Sequence, residues 1–158
     1  MNLFLIGIII FVIMSIVFRS LVGGILATLP MSLSVLLIFG LLGNFGIPLN
    51  MTTSLLTCIL VGVGVDYSVH FLWHLREHIR EGNTLEDAIA NTMKVSGKGI
   101  LFNGISVVVG FSVLMYSVFM PLKAFSVLIM ASIAFCLIGG LAILPAMVSL
   151  LNPKFLYE

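Results

Sequence analysis

The residues best suited to carry chemistry lie in one short segment, residues 62–70, which reads Gly-Val-Gly-Val-Asp-Tyr-Ser-Val-His. Asp66 stands well inside a hydrophobic stretch, where an ionised and unpaired carboxylate costs several kcal/mol. The first interpretation of such a carboxylate is therefore that it belongs to an ion or proton path. Tyr67 can donate a hydrogen bond, and His70, one helical turn beyond Asp66, has the side chain that titrates near neutral pH. We expect this segment to relay protons.

Two helical faces are candidates for positioning these groups. Every fourth residue along the stretch is small or polar, in the row Ser54, Cys58, Gly62, Asp66, His70, His74 and His78. A second such face recurs at three- and four-residue steps, in the row Gly99, Asn103, Ser106 and Gly110. Small residues let helices approach closely, so we expect the two faces to pack together. Asn103 and Ser106 are the expected relay partners of Asp66. The expected packing glycines are Gly62, Gly64 and Gly110.

Each of these residues also has a simpler interpretation. Asp66 could form a structural hydrogen bond that holds two helices together, and His70 could be a packing histidine. Asn103 and Ser106 could be ordinary hydrogen-bonding contacts between helices. A zinc site of Asp66, His70 and His74 is geometrically possible because ligands four residues apart face one way, but no further ligand is obvious. We favour a relay role for Asp66, because structural contacts in membranes usually use uncharged residues, and we expect no metal or other cofactor.

The composition indicates a membrane protein rather than a soluble enzyme. Of the 158 residues, 61% are hydrophobic and 8% are charged, against roughly 25% charged in a soluble domain. No water-facing surface could cover so much apolar chain. The net charge of +1 gives no reason to expect nucleic acid as a partner. Cys58 and Cys136 lie in apolar runs and are interpreted as packing residues.

The hydrophobic segments predict an all-α fold, a polytopic membrane helix bundle in a single domain, residues 1–158. Five transmembrane helices are expected, at about residues 3–18, 21–42, 51–74, 100–119 and 123–151. The first is short for a hydrocarbon core that takes roughly 20 residues to cross. Thr84 followed by Asp87 is typical of a capping box, which would open a short amphipathic helix on the cytoplasmic surface, about residues 85–95. Gly43 to Asn50 is expected to form a tight turn.

The distribution of basic residues predicts the orientation. Lys123 stands alone on one side, and six basic residues fall on the other: Arg19, Arg76, Arg80, Lys94, Lys98 and Lys154. By the positive-inside rule the second side faces the cytoplasm. We therefore expect a multi-pass protein of the inner (cytoplasmic) membrane, with its amino terminus outside and its carboxy terminus in the cytoplasm.

An ordered set of motifs resembles the membrane domain of the resistance-nodulation-division (RND) superfamily, in its MMPL-like exporter branch. Besides the segment around Asp66, the motifs are Phe18-Arg19-Ser20-Leu21, Leu29-Pro30, Gly46-Ile47-Pro48-Leu49-Asn50, Gly110-Phe111 and Leu144-Pro145-Ala146. The resemblance covers essentially the whole chain. It implies a proton-motive-force-driven exporter of lipids or other hydrophobic compounds, with Asp66 and Tyr67 as the relay pair. Asn103 and Ser106 stand where the family commonly has threonines facing the relay.

The resemblance also implies parts that the chain lacks. A first helix and a porter domain are expected before Met1, and a second half is expected opposite Asp66. We therefore expect a fragment, or a subunit that needs a partner chain or forms a homo-oligomer, with membrane lipids and a hydrophobic substrate as further partners. The alternative is a lipid-sensing or scaffolding membrane module, similar to a sterol-sensing domain, without transport. A third possibility is an inert assembly subunit.

Overall fold

The computed structural model describes residues 2–44, 46, 51–153 and 156. These residues form seven α-helices: α1 (Asn2–Val17), α2 (Leu21–Asn44), α3 (Met51–Arg80), α4 (Leu85–Thr92), α5 (Lys98–Ser112), α6 (Met120–Ile138) and α7 (Leu144–Leu151). The described part of the chain contains no strand. The prediction of an all-α fold is confirmed.

Several of these helices join end to end. A π-helical turn, Met93–Gly97, links α4 to α5, and a second one, Gly139–Ile143, links α6 to α7. Four continuous helices are consequently long and apolar enough to cross a membrane: Leu21–Asn44, Thr53–Arg80, Leu85–Tyr116 and Met120–Leu151. The first helix, α1, has 16 residues, fewer than the roughly 20 that a full span takes. This agrees with the short first span expected from the sequence.

The structure differs from the sequence prediction at the amphipathic segment. A surface helix over residues 85–95 was expected to be separate from a span beginning near residue 100, but the chain stays helical between them. Gly97 keeps helical dihedral angles, with φ −59°, and no proline interrupts the segment. Ala88 and Thr92 are buried, and α4 contacts α3 and α7. The predicted amphipathic helix is therefore present as α4, which packs on the bundle and is continuous with the helix that follows it.

Left-handed residues reverse the chain at two of its turns. Arg19 has φ 51°, and the amide of Ser20 donates to the carbonyl of Ser15 at 3.1 Å, which closes the end of α1. Gly82 has φ 90° and ends the helical stretch that contains Asp66. The chain therefore turns after α1 and again after α3. The turn predicted over residues 43–50 lies largely outside the described residues, as do most of its Gly46–Asn50 motif and Lys154.

Thr84 caps α4 as the sequence predicts. Its hydroxyl accepts a hydrogen bond from the amide of Asp87 at 3.3 Å and donates to the Asp87 carboxylate at 2.7 Å. The first turn of a helix has amide groups without helical partners, and a capping side chain satisfies one of them. The cap therefore determines where α4 begins.

Replacing this cap is expected to loosen the first turn of α4. The substitution Thr84→Ala removes the hydroxyl and should cost about 1 kcal/mol. Amide hydrogen exchange of residues 85–88 in detergent measures the effect, because those amides should exchange several-fold faster. The control is Thr84→Ser, which keeps the hydroxyl. Equal protection in both variants would show that the cap does not stabilise the helix.

The helix α3 lies at the centre of the bundle. It packs against α2 and α6, whereas α1 packs against α2, and α5 packs mainly against α6. Its inward side is buried at Leu56, Leu60, Phe71, Leu72 and Leu75. Because α6 lies behind both α3 and α5, the outward sides of α3 and α5 border an open cleft. Asp66 lies on this side of α3.

Candidate functional site

The small and polar row of α3 points out of the bundle. Its members from Ser54 to His70 are exposed, and His74 and His78 are partly exposed. The helical repeat explains the arrangement, since residues four apart lie on one face and turn by only about 40° per step. Asp66 is therefore available to groups outside this chain. Among the described residues it makes no hydrogen bond to Asn103 or Ser106.

A cavity of about 400 Å³ lies between α3 and the helix that contains α5. Asp66, Tyr67, His70 and His74 line it from α3. Val95, Ser96, Gly99, Ile100 and Asn103 line it from the opposite side. The structure thus brings four of the five predicted relay residues to one cavity: Asp66, Tyr67, His70 and Asn103.

Ser106 lies apart from this group. Its hydroxyl donates to the carbonyl of Phe102 in its own helix at 2.8 Å, and its side chain is exposed. The expectation that the two small and polar faces would pack on each other holds only at one end, where Gly99 and Asn103 border the cavity. Beyond that point both faces turn outward. The reason is that α6, rather than α3, supplies the main contact surface of α5.

Tyr67 points into the core, whereas Asp66 points outward. Neighbouring residues on a helix are about 100° apart, so the exposed carboxylate is followed by a side chain in the core. Tyr67 is 1% exposed, and a Cβ atom built on Gly140 would lie 3.3 Å from the Cβ of Tyr67. The Tyr67 hydroxyl is buried and has no hydrogen-bond partner in the described part of the chain. An unpaired buried hydroxyl costs free energy, so a partner from outside these residues would bind there favourably.

Ser96 is a site residue that the sequence analysis missed. Ser96 lines the same cavity, and its hydroxyl is buried and has no hydrogen-bond partner among the described residues. It lies in the π-helical turn Met93–Gly97, a type of distortion that occurs frequently at functional sites. A sequence signal was available in the cluster of small residues Ser96, Gly97 and Gly99. The residues that line the cavity thus include two whose hydroxyls have no partner among the described residues, together with an acid and two histidines.

The three predicted packing glycines lie in different surroundings. A Cβ atom at Gly64 would meet the Sγ of Cys136 at 3.2 Å and the Cα of Met31 at 3.3 Å, so this position is a close contact between helices. A Cβ atom at Gly62 or Gly110 would meet no atom within 4 Å among the described residues. Their packing role remains a prediction that needs a surface beyond the described chain.

The side chains near Asp66 do not form a metal site. Within the described ranges, no group of three or more His, Cys, Asp and Glu side chains could hold a metal ion. The zinc alternative would need Asp66, His70 and His74 to converge, but their shared face follows the helix axis, with about 6 Å of rise between successive members. This spacing suits stepwise proton transfer from one side chain to the next better than joint coordination of one metal ion.

A bundle of several long apolar helices, with a carboxylate on the open face of the central one, is typical of polytopic membrane proteins. The chain matches the MMPL family over residues 2–156 and belongs to it. The resemblance to RND and MMPL-like proteins is confirmed. The protein is a multi-pass membrane protein.

Individual relatives match most of this chain. Membrane protein MJ1562 of Methanocaldococcus jannaschii is 30% identical over 144 residues, which are 91% of this chain and 37% of that protein. The trehalose monomycolate exporter MmpL3 of Mycolicibacterium smegmatis is 28% identical over 134 residues, 81% of this chain and 13% of that protein. A Niemann-Pick type C1-related protein of Toxoplasma gondii is 28% identical over 134 residues, 85% of this chain and 11% of that protein. This chain thus spans well under half the length of each, and no solved structure matches it.

Proposed function

We propose that this chain is the membrane portion of a proton-motive-force-driven exporter of lipids or other hydrophobic compounds, and that it supplies the proton relay. The observation that carries the proposal is the exposed Asp66 carboxylate on a membrane-spanning helix, in the wall of a cavity that it shares with Tyr67, His70 and Asn103. A relative named as an exporter supports the transport part. Ser106, farther along the same face as Asn103, is the outermost proposed relay residue.

The position of Asp66 explains why a proton would drive movement. An Asp at the centre of a membrane helix costs about 2.5–3.5 kcal/mol on the insertion scale, and protonation removes the charge. A proton that arrives from outside therefore changes which surroundings α3 prefers. In the proposed cycle, α3 and α5 then shift against an opposing half, and release of the proton toward the cytoplasm resets them. A membrane potential of about 100 mV contributes about 2.3 kcal/mol for each elementary charge moved across it.

The open side of the bundle is the surface that we propose contacts the second half of the complete transporter. In the most apolar stretch of the helix Leu85–Tyr116, only 11% is buried, whereas 56% is buried in the corresponding stretch of Thr53–Arg80. Lipid can cover the apolar part of this surface, but Asp66 and Asn103 need polar partners. We propose that a second half faces them, from the same gene, from a partner chain or from another copy of this chain. The porter domain that handles substrate would likewise lie outside residues 1–158.

The proposed location is the inner (cytoplasmic) membrane. If the chain crosses the membrane five times, the turn at Arg19, the turn at Gly82 and the carboxy terminus lie on the same side. That side carries all the basic residues except Lys123. That side is the cytoplasm in the proposal, and the amino terminus lies outside. Protons would therefore leave Asp66 toward the His74 end of α3.

The test of the proposed function is lipid export by host cells with and without the gene. Cells are grown on radiolabelled acetate, and labelled lipid extractable from outside the inner membrane is measured over time. We expect the gene to increase the rate of lipid release, and we expect a protonophore to abolish the increase. An increase that survives collapse of the proton gradient, or no increase, would contradict the proposal.

The second candidate function is lipid sensing, favoured by a separate apolar cavity. This cavity has a volume of about 580 Å³ and lies where α1, α2 and α3 meet. Its walls include Phe11, Met31, Phe39 and Val61, which suit an acyl chain or a sterol. Sensing predicts that lipid binding changes partner association without proton movement, and without dependence on Asp66. The export measurement therefore separates the two functions.

A further inference from the structure

The cytoplasmic half of α3 carries a row of histidines that continues from Asp66. His70, His74 and His78 follow at four-residue steps, so each ring lies about 6 Å along the axis from the last. Asp66, His70 and His74 all line the cavity. His78 lies about 18 Å from Asp66 along the axis, past the end of the cavity. The row thus leads from the intramembrane carboxylate to the end of the helix.

Two carboxylates accompany the outer histidines. The Nδ1 atom of His74 lies 3.3 Å from the Oε2 atom of Glu77, and the Nδ1 atom of His78 lies 3.1 Å from the Oε2 atom of Glu81. Both carboxylates are more than half exposed. A hydrogen on Nδ1 that is shared with a carboxylate leaves Nε2 free to accept a proton. Each pair can therefore take up a proton from the row and pass it to solvent.

The cavity also offers positions for water between the carboxylate and the histidines. Its volume of about 400 Å³ can hold several water molecules, and its lining residues include Tyr67 and Ser96, whose hydroxyls have no hydrogen-bond partner among the described residues. Buried water binds where several polar groups lack partners. Of the charged residues on the facing segment, Lys94 and Lys98 are exposed and do not line the cavity. None of the described residues that line the cavity is a lysine or an arginine.

We propose that His70, His74 and His78 form the proton exit path from Asp66 to the cytoplasm. The O–H bond of Asp66 breaks, its proton passes through water to one nitrogen of His70, and the other nitrogen releases a proton to the next member. Each imidazole returns to its neutral form, so one proton moves per passage. Glu77 and Glu81 receive it at the solvent end. The path rests on the proposed function, because it presumes that Asp66 carries the coupled proton.

The test follows proton exchange at Asp66 directly. The full chain is reconstituted in phospholipid vesicles and mixed into deuterated buffer, and infrared spectroscopy follows the carboxyl band that Asp66→Asn removes. We expect the double variant His70→Gln/His74→Gln to slow exchange about 100-fold, the lower range of what a positioned proton carrier contributes. Free imidazole in the buffer should restore most of the rate. The single variant His74→Gln should fall between the two, and the control Glu86→Gln, at the same end of the bundle, should exchange at the native rate.

Two results would overturn the exit path. One is native exchange in the double variant, which would show that protons leave by another route. The other is slow exchange that imidazole does not restore, which would give the histidines a structural role. Either result leaves the proposed function standing if the lipid export measurement succeeds. Histidine-dependent exchange without gradient-driven export would instead remove the exporter function, and the path would connect Asp66 to the cytoplasm for another purpose.

Discussion

The substitution Asp66→Asn is expected to abolish gradient-driven lipid export. Asparagine has nearly the same shape as aspartate but cannot bind and release a proton. A positioned proton carrier typically contributes at least about 100-fold to a rate, so export should fall to the level of cells that lack the gene. The measurement is the release of labelled lipid per amount of protein in the membrane.

The matched control is Asp87→Asn, the same chemical change at the only other aspartate in the chain. Asp87 is exposed in the first turn of α4, where its carboxylate accepts a hydrogen bond from the Thr84 hydroxyl. Losing its charge should cost only about 0.3–1 kcal/mol through the helix dipole. Both variants should reach the membrane in native amounts, because Asp66 is exposed and makes no packing contact that asparagine would break. Native export by Asp66→Asn would rule out this residue as the proton carrier.

The substitution Gly139→Ala is expected to destabilise the bundle most among alanine replacements of its glycines that face rigid neighbours. A Cβ atom there would lie 2.9 Å from the Cβ atom and 3.3 Å from the Cα atom of Pro30. The proline ring is held within α2 and cannot rotate away, so helices must separate. Overpacking of this kind typically costs about 1–3 kcal/mol. Thermal unfolding of the detergent-purified chain, followed by helix content, should show a lower midpoint temperature.

Gly40→Ala is the control for this experiment. Gly40 also lies within a helix, and a Cβ atom there would meet no atom within 4 Å among the described residues. Alanine is better in helices by about 0.5–1 kcal/mol in water, so this variant should be neutral or more stable. If Gly139→Ala unfolded at the same temperature as Gly40→Ala, the contact between α2 and the π-helical turn Gly139–Ile143 would not be tight in the folded protein.

Local features were predictable because their causes lie within a few residues. The Thr84 cap depends on a hydroxyl three residues before an acceptor group, and the end of α3 depends on a glycine that can adopt φ 90°. The extension of α4 into α5 was missed, because Ser96, Gly97 and Gly99 resemble a break. Their helical geometry is stabilised by packing of α4 on α3 and α7, which is a tertiary effect.

The candidate site was predictable in part for a similar reason. Periodicity indicates which residues share a face, so Asp66 and His70 could be grouped without a structure. Periodicity does not indicate what the face contacts. In a membrane both lipid and protein are apolar, and hydrophobicity therefore cannot distinguish a lipid-facing side from a buried one. The outward direction of the α3 row, and the placement of Ser106 away from the cavity, follow from which helices pack on α6.

The amino-acid sequence by itself determined that this protein is an all-α membrane bundle, where its main turns lie, and that Asp66 is its exceptional residue. Hydrophobic length, turn-forming residues and the cost of a charge in lipid are sufficient for those conclusions. Only the tertiary structure decided that Tyr67 faces the core while Asp66 faces outward, and that Ser96 and His74 join them at one cavity. The physical reason is that these relations depend on contacts between helices far apart in the chain, where Gly64, Gly139 and Gly140 set the distances of approach.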